Sequence, residues 1–436
     1  MAGTGRSGTV STKQARIAEL ARIHRDAQTT LAHHMDLDWM REAFARTRKD
    51  GAVGVDGVTA AAYEADLDAN LMALLDQIKS GTYRAPPVRR KHIPKGDGSQ
   101  TRPIGIPTFE DKIAQRAIAM LLEPIYEGEF CDFSYGFRPG RSAHQALDAL
   151  MKGVREMGGG WVLDVDVSKF FDTLDHEKLR ELLRKRVGDG VVVRMVGKWL
   201  NAGVLEGGIV HHADRGTPQG GVISPLLANI YLHEVLDLWW VQEVLPRLRG
   251  TAFLIRYADD FVVVFSDHDD ALRVQEVLPK RFARFGLTLH PTKTRLVPFR
   301  MNKEGSDEPP PGSFDFLGFT HYWGRSRWGT PAIMRKTMSS RFSRAMKALN
   351  RWMRRARHLP IAVQAAKLAQ KLRGHFEYYG ITGNSHAINR FAYAARVQWR
   401  KWLRRRSQRT GMTWEAFNRL LVTYPLPPAR LRHHAT

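Results

Sequence analysis

Length, composition and charge already exclude several classes of protein. The chain has 436 residues, with 67 Lys and Arg against 44 Asp and Glu, and a net charge of +23. A chain of this length buries a real core in two or three subdomains, and no apolar run in the sequence is long enough to span a membrane. The single Cys131 excludes an intramolecular disulfide and cannot build a zinc site alone. Residues 1–6 lead into polar sequence, so we do not expect a secreted protein.

The excess positive charge is concentrated after residue 320. Residues 321–436 contain 25 Lys and Arg and two acids, whereas residues 1–320 contain 42 bases and 42 acids. This asymmetry indicates a module that binds a polyanion, attached to a neutral body. A disordered basic tail is the alternative. Six of the eleven tryptophans lie in this segment with regular apolar spacing, which favours a folded module.

Taken in chain order, the apolar pattern predicts helices interrupted by short strands. Helices are predicted over residues 12–47, 60–79, 111–125 and 143–156, and Ser80-Gly81 is a plausible helix C-cap. A β-hairpin is predicted around Gly96-Asp97-Gly98. A glycine run, 158–160, precedes a strand over residues 161–167. Three final helices are predicted over residues 336–356, 361–379 and 385–406.

Two adjacent carboxylates interrupt a pair of apolar runs. Tyr257-Ala-Asp-Asp260 separates Phe253-Leu-Ile255 from Phe261-Val-Val-Val-Phe265, and the pattern predicts a hairpin with both acids at its tip. Burying unpaired charge is costly, and bound divalent cations are the usual resolution. An exposed turn, where Asp is common, is the alternative.

A second acidic strand favours the metal interpretation. Asp164 and Asp166 lie two residues apart in the predicted strand 161–167 and therefore share one face. Asp166 together with Asp259 and Asp260 supplies three carboxylates, enough for two Mg²⁺ ions whose shell nucleotide phosphates complete. The sequence therefore predicts a site for phosphoryl or nucleotidyl transfer.

An ordered series of motifs, including both acidic segments, resembles the reverse transcriptases. The palm motifs are Asp166-Val-Ser-Lys-Phe-Phe-Asp172, Gly216-Thr-Pro-Gln-Gly-Gly-Val-Ile-Ser-Pro225 and Tyr257-Ala-Asp-Asp260. Residues 93–107, 134–142, 286–294 and 314–319 resemble the fingers, template-contacting and last palm motifs. More narrowly, residues 54–58 and 371–379 resemble the N-terminal extension and maturase domain of group II intron reverse transcriptases.

This resemblance covers most of residues 50–435 and implies an architecture. We expect an α+β right-hand polymerase with fingers and palm, followed by an α-helical thumb/maturase domain. The expected divisions are an N-terminal extension (1–85), fingers and palm (86–320), thumb/maturase bundle (321–406) and a short appendage (407–436) that contacts DNA or RNA.

The resemblance also implies roles for individual residues. Asp166, Asp259 and Asp260 correspond to the catalytic, metal-binding carboxylates, and the Val167 carbonyl is a further expected ligand of two Mg²⁺ ions. The expected nucleotide contacts are Lys95, Arg102, Phe171, Gln219 and Lys293. Among them, Phe171 is expected to exclude a ribose 2′-hydroxyl and Lys293 to protonate pyrophosphate. Phe170, beside the expected gate, is predicted to be a core residue.

Nucleic-acid contacts are expected on arginines in two parts of the chain. Arg138 and Arg141 are candidates for template phosphates. In the C-terminal helices, we expect phosphate binding by Arg400, Arg404, Arg405 and Arg406, because a basic face of a single sign is rarely only a solvated surface. Trp399 and Trp402 are predicted to be core residues, since their helical spacing is explained by burial.

The expected function is RNA-directed DNA synthesis by a group II intron protein that also binds its intron RNA for splicing and mobility by target-primed reverse transcription. The expected partners are the intron RNA, an RNA template with DNA primer, target DNA and dNTPs, in a bacterial cytoplasm near the nucleoid. No His-Asn-His nuclease block follows Arg406, and His375 replaces the usual tryptophan of the maturase motif. A domesticated reverse transcriptase and a splicing-only maturase remain alternatives. An RNA-dependent RNA polymerase is disfavoured by Phe171.

Overall fold

The structure of the protein is a computed structural model. It describes residues 4–95, 100–206, 209–211, 220–301, 310–326, 328–406 and 411–433. The chain divides into two compact units. Unit 1 comprises Met1–Ala146 and Val165–Arg295, and unit 2 comprises Leu147–Asp164 and Leu296–Thr436. Both units mix helices and strands, which confirms the predicted α+β class. No helix in the described ranges is both long and apolar enough to cross a bilayer.

Within the described ranges, the chain forms 15 α-helices and 11 β-strands. The α-helices are α1 (Thr4–Ile23), α2 (Leu37–Arg46), α3 (Ala60–Glu64), α4 (Leu67–Ser80), α5 (Phe109–Glu127), α6 (Ala143–Met157), α7 (Phe170–Thr173), α8 (His176–Arg184), α9 (Gly190–Leu200), α10 (Ser224–Leu232), α11 (His268–Arg284), α12 (Ser339–Ala356), α13 (Ile361–Tyr379), α14 (Ser385–Arg404) and α15 (Trp414–Thr423). The strands are β1 (Val88–Lys95), β2 (Gln100–Ile106), β3 (Gly159–Val165), β4 (Val204–Glu206), β5 (Ile209–His211), β6 (Ala252–Tyr257), β7 (Asp260–Phe265), β8 (Arg295–Arg300), β9 (Phe314–Phe316), β10 (Phe319–Arg325) and β11 (Pro331–Thr337). Short 3-10 and π-helical turns occupy Ala32–His34, His233–Asp237, Trp240–Val244 and Leu245–Arg247.

The N-terminal helix is shorter than the sequence pattern indicates. We predicted helical structure over residues 12–47, but α1 ends at Ile23 and α2 begins at Leu37. The intervening chain is fixed by a distant side chain, because Asp189 accepts hydrogen bonds from the backbone N–H groups of Leu31 (2.7 Å) and Ala32 (2.9 Å). This tertiary contact satisfies backbone donors that a continuous helix would otherwise use.

Helix α5 forms the centre of unit 1. Residues on all sides of it are buried, and it packs against both α1 and α2. Its Ala117 carbonyl accepts a 3.0 Å hydrogen bond from the indole of the fully buried Trp39. The neighbouring helix α4 ends at Ser80 and is capped by Gly81, whose φ of 82° is left-handed, so the predicted C-cap is confirmed.

Unit 1 also contains the predicted hairpin around residues 96–98. Strands β1 and β2 pair antiparallel with Lys95 opposite Gln100, while residues 96–99 of the turn lie outside the described chain. Strand β4 adds to β1 in parallel and β5 pairs with β4, giving the order β2-β1-β4-β5.

Unit 2 combines a three-stranded sheet, β11-β10-β9, with a helical bundle. The three predicted C-terminal helices are confirmed as α12, α13 and α14, although α12 begins at Ser339 because Lys336 is still paired in β11. Trp399 and Trp402 are buried in the bundle, as predicted. Helix α15, in the predicted appendage, places a fully buried Phe417 against Trp399, with ring centroids 5.6 Å apart.

His375 has an aromatic environment in this bundle. Its ring stacks on Phe391 at 3.6 Å between centroids, and Tyr379 lies 4.7 Å away. Burial lowers the pKa of His375 to about 4, so the ring is neutral at pH 7. The imidazole therefore packs as a flat, uncharged ring at the position where the resemblance led us to expect tryptophan.

Candidate active site

The two adjacent carboxylates lie at the tip of an antiparallel hairpin, as predicted. In the hairpin formed by β6 and β7, Tyr257 pairs with Asp260, so Ala258 and Asp259 form a two-residue turn. Ala258 has a φ of 58°, a left-handed conformation that is unusual for a residue with a Cβ atom. Such strain is maintained only where surrounding contacts hold it. We refer to β6, β7 and this turn as the acidic hairpin.

A buried arginine holds the acidic hairpin from within unit 1. Arg256 of β6 is fully buried, and its Nε donates to Asp237 Oδ1 at 2.7 Å. Its Nη1 donates to Asn229 Oδ1 at 3.0 Å and to the Ala258 carbonyl at 3.2 Å. Burial opposes ionisation of Asp237, but the charge and hydrogen bonds of Arg256, together with His233, outweigh it and lower the pKa of the carboxyl. The strained turn is thus tied to a buried ion pair.

A second segment locks the same turn from its backbone side. The Tyr135 N–H donates to the Arg256 carbonyl, and the Arg256 N–H donates to the Phe133 carbonyl, both at 2.9 Å. Gly136 lies so close that a Cβ atom there would stand 2.3 Å from the Ala258 nitrogen. Sequence reasoning missed this assembly. The available signal was an arginine within the otherwise apolar and aromatic run Phe253-Leu-Ile-Arg-Tyr257.

Asp166 follows the last residue of β3 and is positioned by an adjoining segment of unit 1. Its carbonyl accepts a 2.7 Å hydrogen bond from the His290 N–H, and the Ser168 N–H donates to the Thr288 carbonyl at 2.8 Å. Val167, between them, is buried and bridges to Leu289. The Asp166 carboxylate lies 3.0 Å from Lys293 Nζ. Two residues predicted separately from the sequence are therefore brought together.

The electrostatics connect Asp166 with the acidic hairpin. Burial raises the pKa of Asp259, and the negative charge of Asp166 contributes to the rise. The backbone amide of Asp259 and the Arg102 guanidinium act in the opposite direction. A carboxylate with these surroundings gains from additional positive charge.

The donor set fits a hard divalent cation by its chemistry. Carboxylates and a backbone carbonyl are the oxygen ligands that Mg²⁺ takes, together with phosphate oxygens of a substrate. Within the ranges that the structure describes, no group of three His, Cys, Asp or Glu side chains already has the arrangement of a metal site. The Lys293 ammonium supplies the positive charge beside Asp166 in this structure.

Two phenylalanines follow Asp166 in different environments. Phe170 is buried, which confirms its predicted core position, whereas Phe171 is half-buried. Their rings meet edge to face, 5.3 Å apart. Lys169, with a φ of 46°, makes the turn into α7. Phe171 is thus the ring of the pair that remains accessible to a ligand.

Strand β2 passes close to Gly220 within unit 1. A Cβ atom on Gly220, whose φ is 121°, would lie 2.5 Å from the Gly105 carbonyl of β2. A side chain at this position would therefore clash with the backbone of β2. Arg102, also in β2, is exposed, and its charge acts on Asp259. Gln219 and the side chain of Lys95 lie outside the described part of the chain.

Comparisons with known proteins identify the family of the chain. Residues 93–321 match the family described as reverse transcriptase (RNA-dependent DNA polymerase), and this match spans more than half of the chain. The chain belongs to the reverse transcriptases. Residues 342–420 match the maturase-specific domain of group II introns, which places the chain among the group II intron reverse transcriptase/maturases. The enzymatic class is therefore RNA-directed DNA polymerase, and enzymes of the family use divalent metal ions.

Individual relatives match parts of this reverse transcriptase. It is 38% identical over 258 residues to protein YkfC of Escherichia coli, covering 52% of this chain and 68% of YkfC. It is 44% identical over 169 residues to the group II intron-encoded protein LtrA of Lactococcus lactis, covering 38% of this chain and 28% of LtrA. A 91 kDa protein in the cob intron of Schizosaccharomyces pombe is 29% identical over 277 residues, covering 51% of this chain and 34% of the relative.

Arg138 and Arg141, the two arginines predicted to contact template phosphates, differ in how deeply they are buried. Arg138 is buried: Nε and Nη2 contact Glu127 at 3.0 Å, and Nη1 donates to the Cys131 and Ser134 carbonyls at 2.8 Å. All three guanidinium nitrogens are engaged and fix the loop that precedes Gly136, so a contact between Arg138 and template phosphates would require it to leave these partners. Arg141 is half-buried and pairs with Asp132 at 2.8 Å.

The predicted C-terminal arginines of the reverse transcriptase converge on one cavity in unit 2. A cavity of about 740 Å³ is lined by Arg357, His358, Val397, Arg400, Lys401, Arg404, Arg405 and Arg406. No acidic residue lies among these lining residues. Arg400 stacks over Trp414 of α15, 4.3 Å from the ring centroid. We refer to this feature as the C-terminal basic cavity.

Proposed function

We propose that this chain copies RNA into DNA at Asp166, Asp259 and Asp260 and binds a group II intron RNA to assist its splicing and its mobility by target-primed reverse transcription. The observation that supports the proposal is that the charge of Asp166 acts on Asp259, which lies with Asp260 at the tip of the acidic hairpin. The buried Arg256 holds the strained turn of this hairpin. The proposed substrates are dNTPs and an RNA template with a DNA primer, and target DNA is a further partner. The proposed location is the bacterial cytoplasm, near the nucleoid.

The three carboxylates and the Val167 carbonyl would hold two Mg²⁺ ions. When bound, these ions lower the pKa of a primer 3′-hydroxyl and stabilise the charge on the triphosphate. The protein contributes rigidity: the Arg256 contact with the Ala258 carbonyl fixes the turn that carries Asp259. A preorganised anionic site avoids reorganisation during reaction.

Cationic and aromatic side chains would select and orient the nucleotide. Arg102 of β2, together with Lys95 and Gln219, would contact the triphosphate. Phe171 would close the space beside a 2′-hydroxyl and so favour deoxyribonucleotides. Lys293 Nζ, 3.0 Å from Asp166, would deliver a proton to the leaving pyrophosphate.

The intron RNA would contact the C-terminal basic cavity. The cavity brings five arginines and one lysine together without an acidic residue in its lining, and phosphate neutralisation by such groups dominates RNA affinity. The maturase-specific match over residues 342–420 supports assigning this surface to intron RNA. Trp399 and Trp402 support the cavity from the core rather than acting as exposed stacking platforms.

Substitution of one hairpin carboxylate tests the catalytic part. Asp259→Asn should reduce Mg²⁺-dependent primer extension on an RNA template at least about a hundredfold, because several kcal/mol of charge stabilisation are lost. Asp269→Asn, at an exposed position in the first turn of α11, is the matched control and should extend primers normally. Near-normal extension by Asp259→Asn would overturn the assignment.

A splicing assay tests the intron-binding part independently. A precursor RNA that carries a group II intron should splice faster with the protein than without it, and Asp259→Asn should support splicing as well as the unmodified chain. Primer extension without any effect on splicing would reject the maturase role and favour a domesticated reverse transcriptase. Splicing without extension by the unmodified chain would favour a splicing-only maturase.

A further inference from the structure

Unit 1 contains a large cationic groove that the catalytic site does not use. A cavity of about 1030 Å³ opens between the C-terminal end of α4, helices α8 and α9, and the chain that precedes β1. Five cationic side chains line it: Arg84, Arg180, Arg184, Arg194 and Lys198. We refer to this feature as the basic groove.

The charge of the basic groove is a local concentration. Its lining includes no acidic residue, although residues 1–320 contain equal numbers of bases and acids. Across the ranges that the structure describes, none of the five cations forms an ion pair with a carboxylate. Cations left together without counter-charges repel one another, and an anionic partner relieves this repulsion.

The walls of the groove are held in place by backbone contacts. Lys198 Nζ donates to the Gly81 carbonyl at 2.6 Å and also to the Tyr83 carbonyl. A Cβ atom on Gly81 would lie 3.4 Å from Arg194 Nε, so this guanidinium packs along the turn after α4. Arg180 Nη2 donates to Asn201 at 3.3 Å, while its buried Nε has no acceptor in the described chain. Arg180, Arg194 and Lys198 are therefore prepositioned.

The lining also indicates which form of nucleic acid fits. Proteins that bind single strands combine cationic grooves with exposed aromatic platforms on which bases stack. Tyr83 is the one aromatic residue of the described lining, but it is buried and its hydroxyl donates to Asp111 at 2.6 Å. Base stacking is therefore not available here. Charge without stacking suits the phosphate backbone of a helix, which is recognised by shape and phosphate contacts.

We propose that the basic groove binds the phosphate backbone of a double-helical segment of the intron RNA. This assignment rests on the proposed intron-binding function and adds to it a second RNA contact, in unit 1. The exposed cations Arg84, Arg184 and Arg194 would meet the phosphates, and Lys198 would hold the wall.

A triple substitution of Arg84, Arg184 and Arg194 with Gln tests the proposal in the full chain. Affinity for a group II intron RNA and for a 20-base-pair RNA duplex is measured from about 50 to 200 mM salt. The slope of log affinity against log salt should fall by about 3, one for each phosphate that the protein no longer neutralises. A 20-nucleotide oligouridine should show little change, because the groove lacks stacking platforms.

Two further variants separate the proposal from general effects of charge and folding. Gln at Arg22, Arg25 and Arg284, three exposed arginines of unit 1 outside the groove lining, removes the same charge and should leave the slope near that of the unmodified chain. Lys at the three groove positions keeps the charge and should restore the slope. Extension of a short DNA primer at saturating RNA template should be unchanged in all variants.

Each outcome bears on a different part of the argument. An unchanged slope for the groove variant, or an equal loss for the control variant, overturns the groove assignment. Equal loss on oligouridine and duplex overturns the choice of a helical ligand, and loss of primer extension at saturation would make the groove part of the template–primer path. If the unmodified chain does not prefer intron RNA over an unrelated structured RNA, the intron-binding function fails, while binding of the duplex still tests the groove.

Discussion

Replacing Arg256 with Met should lower the free energy of unfolding by about 3–5 kcal/mol, the usual cost of removing one partner from a buried ion pair. Both Arg256 and Asp237 have side chains that are 0% exposed. Methionine fills much of the vacated volume, but it removes the guanidinium and leaves the Asp237 carboxylate with His233 Nδ1 at 3.6 Å, a group that is charged only when it is protonated. Most of the loss is therefore the cost of an uncompensated buried charge.

The measurement is urea-induced unfolding followed by circular dichroism, with Arg247→Met as the matched control. Arg247 pairs with Glu243 on the surface, where both side chains are more than half exposed, and such pairs contribute about 0–1 kcal/mol. Arg256→Met combined with Asp237→Leu removes both charges and should regain most of the stability, because an apolar pair replaces a buried ionic one. A cost for Arg256→Met equal to that of the control would refute the reasoning.

The double variant also separates stability from catalysis. It restores an uncharged core but does not restore the hydrogen bond from Arg256 to the Ala258 carbonyl. We therefore expect kcat for primer extension to remain low while the folded fraction recovers. Full recovery of extension in the double variant would show that the buried pair stabilises unit 1 without positioning the acidic hairpin.

Three further predictions address sugar selection, the turn and pH. Phe171→Ala should raise ribonucleotide incorporation relative to deoxyribonucleotide, and an effect from Phe170→Ala instead would identify the wrong ring. Gly136→Ala places a Cβ atom 2.3 Å from the Ala258 nitrogen of the acidic hairpin. It should reduce primer extension more than about tenfold at unchanged helical content, since a misplaced reacting group is costly. The control Gly374→Ala, where a Cβ atom would have nothing within 4 Å, should leave primer extension unchanged. Burial lowers the pKa of His321 to about 3 from 6.5. The stability contributed by its neutral form is complete above pH 6.5 and is lost as pH falls towards 3, so His321→Phe should reduce the fall in urea midpoint between pH 7 and pH 4.5.

Local patterns in the sequence specified many elements correctly. The alternation and β-branched content of residues 253–265 predicted the acidic hairpin, and helical spacing predicted α12, α13 and α14. These features depend on neighbours a few positions away, so the sequence contains their signal. Residues 12–47 show the limit, because the break before α2 depends on Asp189, more than 150 positions away in the chain.

The candidate site shows the same division between local and distant information. The carboxylates were identified from strand ends and motifs, but the contact between Lys293 and Asp166 joins residues 127 positions apart. Arg138 and Arg141 looked equivalent in the sequence, yet one is buried against Glu127 and the other lies near the surface. Whether a charged side chain is buried and paired depends on which residues the fold places next to it.

By itself, the sequence determined the family, the acidic hairpin, the basic C-terminal segment and most of the helices, because motifs, composition and periodicity are local properties of the chain. Only the tertiary structure decided that Arg256 anchors the acidic hairpin and that five cations form the basic groove. Burial and electrostatic pairing are set by groups that meet in space. Arg256 meets Asp237 across 19 positions, and the groove unites residues from α8, α9 and the chain after α4. No periodicity encodes such contacts, since they arise when separate elements pack together.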